Sequence, residues 1–386
     1  MRKSLQVVVF LILAVCSAVI AQDTKVRFFG QPGFDLTENT KTKQAGSNFV
    51  GNNFVIFVTS QINERVSVLS ETNFKLNFRD SSRSSFGVDI ERLMVKYYVN
   101  DYLSLRFGRM YSPLGYWNTQ YNLGLVLQPT IIRPRIIQAE HEGGLLPTRD
   151  GGLQIEGSNI SSLRFSYKFL ISNGLGRYGV RSASTNAQYD NTRYNSFAYT
   201  LNLMIEPIDN LKIFASGMYD EIKPGFRYRG FTPTSTLYAQ LLNGGVAFMG
   251  ADLKPEFIAE YYNISTKDSY FGNTSAKGGY VYAGYKLTDK IAPYAIFDYT
   301  DYKDFFVSSL NSFKLGFRYK FDANAVVKFE YEIGERVFAS PTVTLVRDAN
   351  GVPVFDANGN PQIILGRSLT YGGIYHGPRL QFAFAF

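Results

Sequence analysis

The chain has 386 residues, a formal net charge of +8 at pH 7 and a mean hydropathy of −0.11, and 16% of its residues are aromatic. Its one cysteine, Cys16, lies near the N-terminus, so the composition excludes a small domain held together by disulfide bonds. No apolar run beyond residue 22 is long enough for a transmembrane helix.

The first predicted element in chain order is a secretory signal peptide over residues 1–21. Arg2 and Lys3 supply its charged n-region, residues 5–20 are mostly apolar, and Ala21 is a small residue at the cleavage position. These three features in this order are typical of exported proteins. We therefore expect cleavage after Ala21.

The rest of the chain, residues 22–386, is predicted to form one domain. Its net charge is +6, because the signal peptide removes two cations and no acidic residue. Lipoprotein processing at Cys16 is the alternative at the N-terminus. Val15 is bulky where that processing needs a small residue, so cleavage at Ala21 is favoured.

Apolar residues beyond the signal peptide occur at every second position over most of the chain. In residues 313–321 the odd positions are all apolar or aromatic, and the even positions hold Lys, Gly and Arg. Residues 163–171 and 327–333 repeat this pattern. A period of two predicts β-strands that have one apolar face and one polar face.

Short polar turns recur along the chain and alternate with longer connections rich in Gly, Asn and Ser. They lie at residues 62–64, 99–101, 157–159, 207–210, 253–255, 287–290 and 321–324. Each of these seven turns joins two strands, and one more strand is added at each end, which predicts sixteen strands with both termini on the short-turn side. Short turns at one end and long loops at the other are typical of outer-membrane β-barrels.

The C-terminus supports the same fold. Residues 380–386 alternate to the last position and end in Phe386. A terminal strand of this kind resembles the assembly signature of outer-membrane barrels, and pairing with the first strand would leave no free edge. The predicted fold class is therefore all-β, a transmembrane antiparallel barrel of sixteen strands. The predicted location is the cell outer membrane, with its lipid bilayer as a partner.

The longest early connection, residues 113–149, is unusually apolar for a loop. Residues 123–127 are apolar, and Arg133 and Arg135 lie among β-branched residues in 131–137. Because loops washed by solvent rarely carry so many apolar residues, we expect this third external loop to fold into the lumen and form a constriction. An external loop that covers a subunit contact is the alternative.

Two motifs that flank this loop resemble the phosphate-selective porin family. Gly108-Arg109-Met110-Tyr111-Ser112-Pro113-Leu114-Gly115 resembles its Gly-Arg-x-x-x-Pro-x-Gly element. Arg149-Asp150-Gly151-Gly152-Leu153-Gln154-Ile155-Glu156-Gly157 resembles its Arg-Asp-x-Gly-hydrophobic-Gln-hydrophobic-x-Gly strand. The resemblance implies a sixteen-stranded homotrimeric porin. It does not establish phosphate as the solute, because the family's dense ladder of lumen cations has no residue-by-residue match in this sequence.

Charged residues suggest which solutes the lumen prefers. We expect Arg109, Arg133, Arg135 and Arg149 at the constriction. The alternation places Arg164, Lys168, Lys314 and Arg318 on the polar, lumen-facing side of the wall. Cations around a pore favour anions, which predicts a weak preference for small anions. A salt bridge within the wall is the alternative role for any single cation.

The expected function is passive diffusion of small hydrophilic solutes through a porin. A channel for apolar solutes is one alternative, although it would need an apolar lumen or an N-terminal hatch. A structural or adhesive barrel that acts through its external loops is another. Catalysis is not expected, because the two histidines, His141 and His376, accompany no nucleophile motif. No metal, cofactor or nucleic-acid partner is expected.

Overall fold

The computed structural model of the protein is dominated by one sheet of antiparallel strands. It describes residues 23–50, 53–77, 85–121, 128–138, 145–175, 197–223, 236–250, 255–268, 272–302, 309–345 and 363–386. The predicted signal peptide lies outside these residues. Within them, no helix has the length and apolarity needed to cross a membrane.

Eighteen strand segments and two short helical segments make up the described chain. The strands are β1 (Asp23–Gly30), β2 (Gly33–Asn39), β3 (Gln44–Val50), β4 (Asn53–Gln61), β5 (Val66–Asn77), β6 (Ser85–Asn100), β7 (Leu103–Tyr111), β8 (Arg149–Ile160), β9 (Phe165–Ser172), β10 (Ala198–Ile208), β11 (Leu211–Ile222), β12 (Leu237–Met249), β13 (Pro255–Asp268), β14 (Gly272–Tyr285), β15 (Ile291–Asp301), β16 (Ser309–Lys320), β17 (Ala325–Leu345) and β18 (Ile363–Ala385). The helical segments are α1 (Tyr116–Gln120) and a 3₁₀ turn (Arg135–Ile137).

The eighteen segments form a closed barrel of sixteen strands. β1 and β2 are the two halves of the first barrel strand, because both pair with β18 and because β1 pairs with β4 while β2 pairs with β3. The break between the halves contains Pro32, which has no N–H to donate to a ladder. β3 and β4 are likewise the two halves of the second strand. The predicted fold class and strand number are confirmed.

The predicted alternation is also confirmed, and it separates an apolar outer face from the lumen. On β16, Phe313, Leu315 and Phe317 are 43–53% exposed, whereas Lys314 is buried. Residues paired across an antiparallel ladder lie on the same face of the sheet, so the register carries this assignment from strand to strand. The outer face is therefore apolar, as a wall in contact with lipid must be.

One short turn differs from its prediction. The sequence predicts a turn at 157–159, but β8 continues to Ile160 and the turn occupies residues 161–164. Asn159, Ser161 and Arg164 all have positive φ, so the irregular backbone extends beyond the predicted position. Arg164 consequently lies in the turn.

The C-terminal residue closes the barrel. The backbone N–H of Phe28 donates to the carbonyl of Phe386 at 2.7 Å, and the N–H of Phe386 donates to the carbonyl of Phe28 at 3.0 Å. The two rings stack with their centroids 5.3 Å apart. Phe386 thus joins the last strand to the first by backbone and side-chain contacts together.

We predict that barrel stability falls in the order wild type, Phe386→Ala, then deletion of Phe386. The alanine variant loses about 1 kcal/mol of ring stacking, and the deletion loses a further ~1–3 kcal/mol because both backbone hydrogen bonds disappear. Urea unfolding in detergent measures the order. Phe313→Ala, an outward ring away from the seam, is the control. Equal midpoints for wild type and the deletion would refute this closure role.

Candidate functional site

The connection between β7 and β8 is described at residues 112–121, 128–138 and 145–148. These described parts pack against the inward-facing side of the barrel wall and are called the inner loop below. Leu114, Trp117 and Ile136 in this loop are completely buried. They belong to one apolar cluster with lumen-facing wall residues such as Phe214 and Tyr282. The apolar residues of the loop are therefore covered by the wall and not by water. The predicted apolar stretch 123–127 lies outside the described residues.

The first half of the inner loop is held by the carboxylate of Glu260 on β13. Its Oε1 accepts the backbone N–H of Trp117 at 2.8 Å, and its Oε2 accepts the backbone N–H of Tyr116 at 3.0 Å. Tyr262 and Tyr280 donate their hydroxyls to the same carboxylate. Glu260 therefore satisfies the two backbone donors at the start of α1, which have no partner within the helix.

Gly115 allows the loop backbone to lie close to Glu260 and Tyr262. Gly115 has a φ of 72°, and a Cβ at this position would collide with the hydroxyl of Tyr262. Its N–H donates to Ser216 Oγ at 3.1 Å.

Burial in this part of the loop raises the pKa of Tyr116 to about 12, so its phenol stays neutral at physiological pH.

The second half of the inner loop is held by two more carboxylates. The backbone N–H of Ile131 donates to Glu330 Oε2 at 3.2 Å, and that of Arg135 donates to Asp298 Oδ2 at 2.5 Å. In the other direction, Lys328 Nζ donates to the carbonyl of Thr130 at 3.4 Å. The loop is thus bonded to β15 and β17 as well as to β13.

A glycine in the wall also allows the loop to pack closely. Gly278 on β14 faces Ile136, and a Cβ there would lie 2.9 Å from Ile136 Cδ1. We call the lumen face of β11–β17 the anchoring wall, because it carries all these contacts.

The cations predicted on the anchoring wall form ion pairs with acidic residues of the same wall. Lys314 is 1% exposed and lies 3.7 Å from both Asp298 and Glu332. Arg318 forms an ion pair with Glu256 and is mostly buried. Both face inward, but each is paired with an acidic residue.

The two arginines predicted within the inner loop lie in its described part. Arg135 Nη1 donates to Gln138 Oε1 at 2.6 Å, and burial lowers the pKa of its guanidinium. Arg133 is half-buried and lies within electrostatic range of Tyr111 at the end of β7.

The two arginines predicted at the ends of the loop are placed differently. Arg149 forms an ion pair with Glu91 on β6. Arg109 is exposed and pairs in register with Leu93, which points outward. The expectation for Arg109 is not met, because the register of β7 directs it away from the lumen. The structure therefore does not bring the four predicted residues together.

The other side of the lumen carries a group of cations that the sequence analysis largely missed. Lys96 and Arg106 both contact Glu156 Oε1, at 2.9 and 2.7 Å, and Lys168 pairs with Glu156 in register across β8 and β9. Three cations therefore surround one carboxylate. We call Lys96, Arg106 and Lys168 the wall cations. The alternation of β6 and β7 was the signal that could have located Lys96 and Arg106.

Arg164, predicted beside Lys168, does not belong to this group. It lies in the turn that ends β8, where it binds Glu206 at 3.1 Å and Asp209 at 2.5 Å. The placement on the lumen face is wrong because the predicted turn was several residues too early. Among the described residues, no group of three or more His, Cys, Asp and Glu side chains is arranged to hold a metal ion.

We predict that Glu260→Gln loosens the inner loop. Glutamine keeps one acceptor oxygen, but its amide nitrogen presents donors where a loop N–H and a tyrosine hydroxyl also donate, so at least one of the two bonds to the loop is lost. Trp117 is the only tryptophan of the chain and is fully buried, so its fluorescence reports the loop directly. Emission should shift to longer wavelength and collisional quenching by acrylamide should rise by about twofold or more.

Glu332→Gln is the matched control for this experiment. Glu332 is also buried, but it accepts hydrogen bonds from Tyr375 and Arg379, which are wall residues. Identical spectra for wild type and Glu260→Gln would show that this carboxylate does not hold the loop.

Comparison with family models and with curated proteins finds no match. Solved structures do match. OmpT of Vibrio cholerae is 13% identical over 94% of this chain and 98% of that one, with a TM-score of 0.55. The anion-selective porin from Comamonas acidovorans is 12% identical over 94% and 100%, with a TM-score of 0.56. OmpF of Salmonella typhi, in complex with daunomycin, is 12% identical over 94% and 98%, with a TM-score of 0.58.

Identities this low establish the fold alone. The closed barrel of sixteen strands and its apolar outer wall are the architecture of an outer-membrane protein. The chain is an outer-membrane β-barrel with the fold of the porins.

Proposed function

We propose that the barrel is a passive diffusion channel for small hydrophilic solutes and that it prefers anions. The observation that carries the proposal is the inner loop, which is bonded to one side of the lumen and faces the wall cations on the other. A loop that packs against the lumen face of the wall narrows the path left for solutes. This is the physical requirement for a channel that selects by size and charge.

Charge is unevenly distributed between the two sides of the lumen. On the anchoring wall, Lys314 and Arg318 are neutralised by nearby carboxylates. On the opposite side, the three wall cations exceed Glu156 by two charges, and the side chains of Lys96 and Arg106 are 35% and 28% exposed. A low-dielectric wall focuses such a field into the pore. The same charges disfavour the alternative of an apolar-solute channel.

A homotrimer is part of the proposal. Arg109 lies on the outer face near Phe107 and Leu93, two exposed apolar residues. A guanidinium in contact with lipid costs roughly 2–4 kcal/mol at the bilayer midplane, so a neighbouring subunit is a more favourable environment. One similar structure is a trimer form of OmpT from Vibrio cholerae.

Shortening the inner loop is predicted to raise single-channel conductance. Deletion of residues 128–138 removes the contacts to Glu330 and Asp298 together with the part of the loop that occupies the lumen. Conductance in planar bilayers should rise by about half or more, since it scales with the narrowest cross-section. Deletion of residues 346–356, between β17 and β18, is the control of equal length. No rise in the first variant would mean that the loop does not limit the current.

Neutralising two of the wall cations is predicted to abolish the anion preference. Lys96→Gln with Arg106→Gln leaves only Lys168 and Glu156, so the local charge falls from +2 to zero. The reversal potential across a salt gradient should indicate anion preference for wild type and none for the double variant. Arg164→Gln with Lys290→Gln removes the same charge from periplasmic turns and should keep the preference. A cation-selective wild type would contradict the proposal.

A further inference from the structure

The lumen contains a polar recess of about 440 Å³ on the side opposite the anchoring wall. β1 and β4–β7 form it, and its lining includes Lys25, Leu69, Arg92, Met94, Lys96 and Arg106. None of these side chains takes part in holding the inner loop in the described contacts. The recess is therefore a separate feature of the pore.

The recess combines cations with an apolar floor. On β6, Arg92, Met94 and Lys96 face the lumen in succession, so an apolar side chain lies between two cations about 13 Å apart. Leu69 on β5 pairs in register with Met94 and widens the apolar surface. The wall cation Arg106 pairs with Lys96 at one margin of this surface.

Arg92 is held rigidly above the apolar floor. Its Nε donates to Glu71 at 2.7 Å, and its guanidinium lies 4.4 Å from the centroid of Tyr111 and 5.4 Å from that of Phe57. Its Nη2 is buried and has no hydrogen-bond partner among the described residues. Contact with these two rings and with Glu71 holds the guanidinium in place at this margin of the recess.

A hydrated inorganic anion would use only the cations of the recess and not its apolar floor. Such an anion binds best where donors surround it, and contact with Leu69 and Met94 would remove water without replacing its hydrogen bonds. An organic carboxylate uses both parts of the surface, because its charged end can bind the wall cations while its apolar end covers the floor. Methionine sulfur also makes favourable contacts with aromatic rings.

We infer that this recess is a binding site for small aromatic carboxylates on their way through the pore. The carboxylate binds Lys96 and Arg106 on their recess side, away from Glu156, which both cations contact, and the ring lies on Leu69 and Met94. The inference rests on the proposed diffusion channel and names a class of solute for it.

The test is the concentration-dependent block of potassium chloride current by benzoate, with acetate and inorganic phosphate as comparison anions. Benzoate should bind roughly three- to tenfold more tightly than acetate, because its ring buries apolar surface on the floor. In the double variant Leu69→Ser with Met94→Ser this ratio should fall towards one. Met94→Leu, which conserves the apolar volume, should retain it.

Leu315→Ser, on the outer face, is the control and should keep the wild-type ratio. Heat-modifiable migration in gels checks that every variant is folded. Equal block by benzoate and acetate in wild type, or an unchanged ratio in the double serine variant, overturns the inference. The wild-type reversal potential is measured in the same membranes. If it indicates anion preference while benzoate block is absent, only the inference fails, and if it indicates cation preference, the proposed anion channel fails.

Discussion

The structure depends on the pairing of backbone N–H groups of the inner loop with carboxylates of the barrel wall. A loop inside a barrel gives up water on one side, and each buried donor left without a partner costs about 1–3 kcal/mol. Glu260, Asp298 and Glu330 supply these partners from three strands. Charged acceptors form stronger bonds than neutral ones, which fixes the loop against one side of the lumen.

This arrangement explains why the two sides of the lumen differ. The anchoring wall carries the acidic residues that bind the loop. Lys314 lies 3.7 Å from one of them, Asp298, and from Glu332, so its own charge is compensated. On the opposite wall, Lys96, Arg106 and Lys168 surround a single carboxylate, that of Glu156. The wall cations therefore keep a positive excess next to the water-filled path.

Local pattern was enough to predict the barrel but not its interior contacts. Alternation, alternating turn lengths and Phe386 predict sixteen strands because each is a short-range feature. The β8–β9 turn was misplaced because Asn159 and Ser161 adopt positive φ, which propensity does not reveal. Glu260 lies 143 residues from Trp117, so only the fold brings them together. Arg109 belongs to a sequence motif that continues into the loop, but the motif does not determine which face of β7 the residue occupies.

Hydrogen exchange of the loop amides tests the central claim most directly, because it observes the backbone bonds themselves. The account predicts that the amides of Tyr116, Trp117, Ile131 and Arg135 exchange as slowly as those of neighbouring wall strands in the folded protein. The amide of Asp289, in the exposed turn 287–290, serves as the fast reference. Exchange of all four loop amides at the rate of that reference amide would contradict the account, because it would show that the loop is not bonded to the wall.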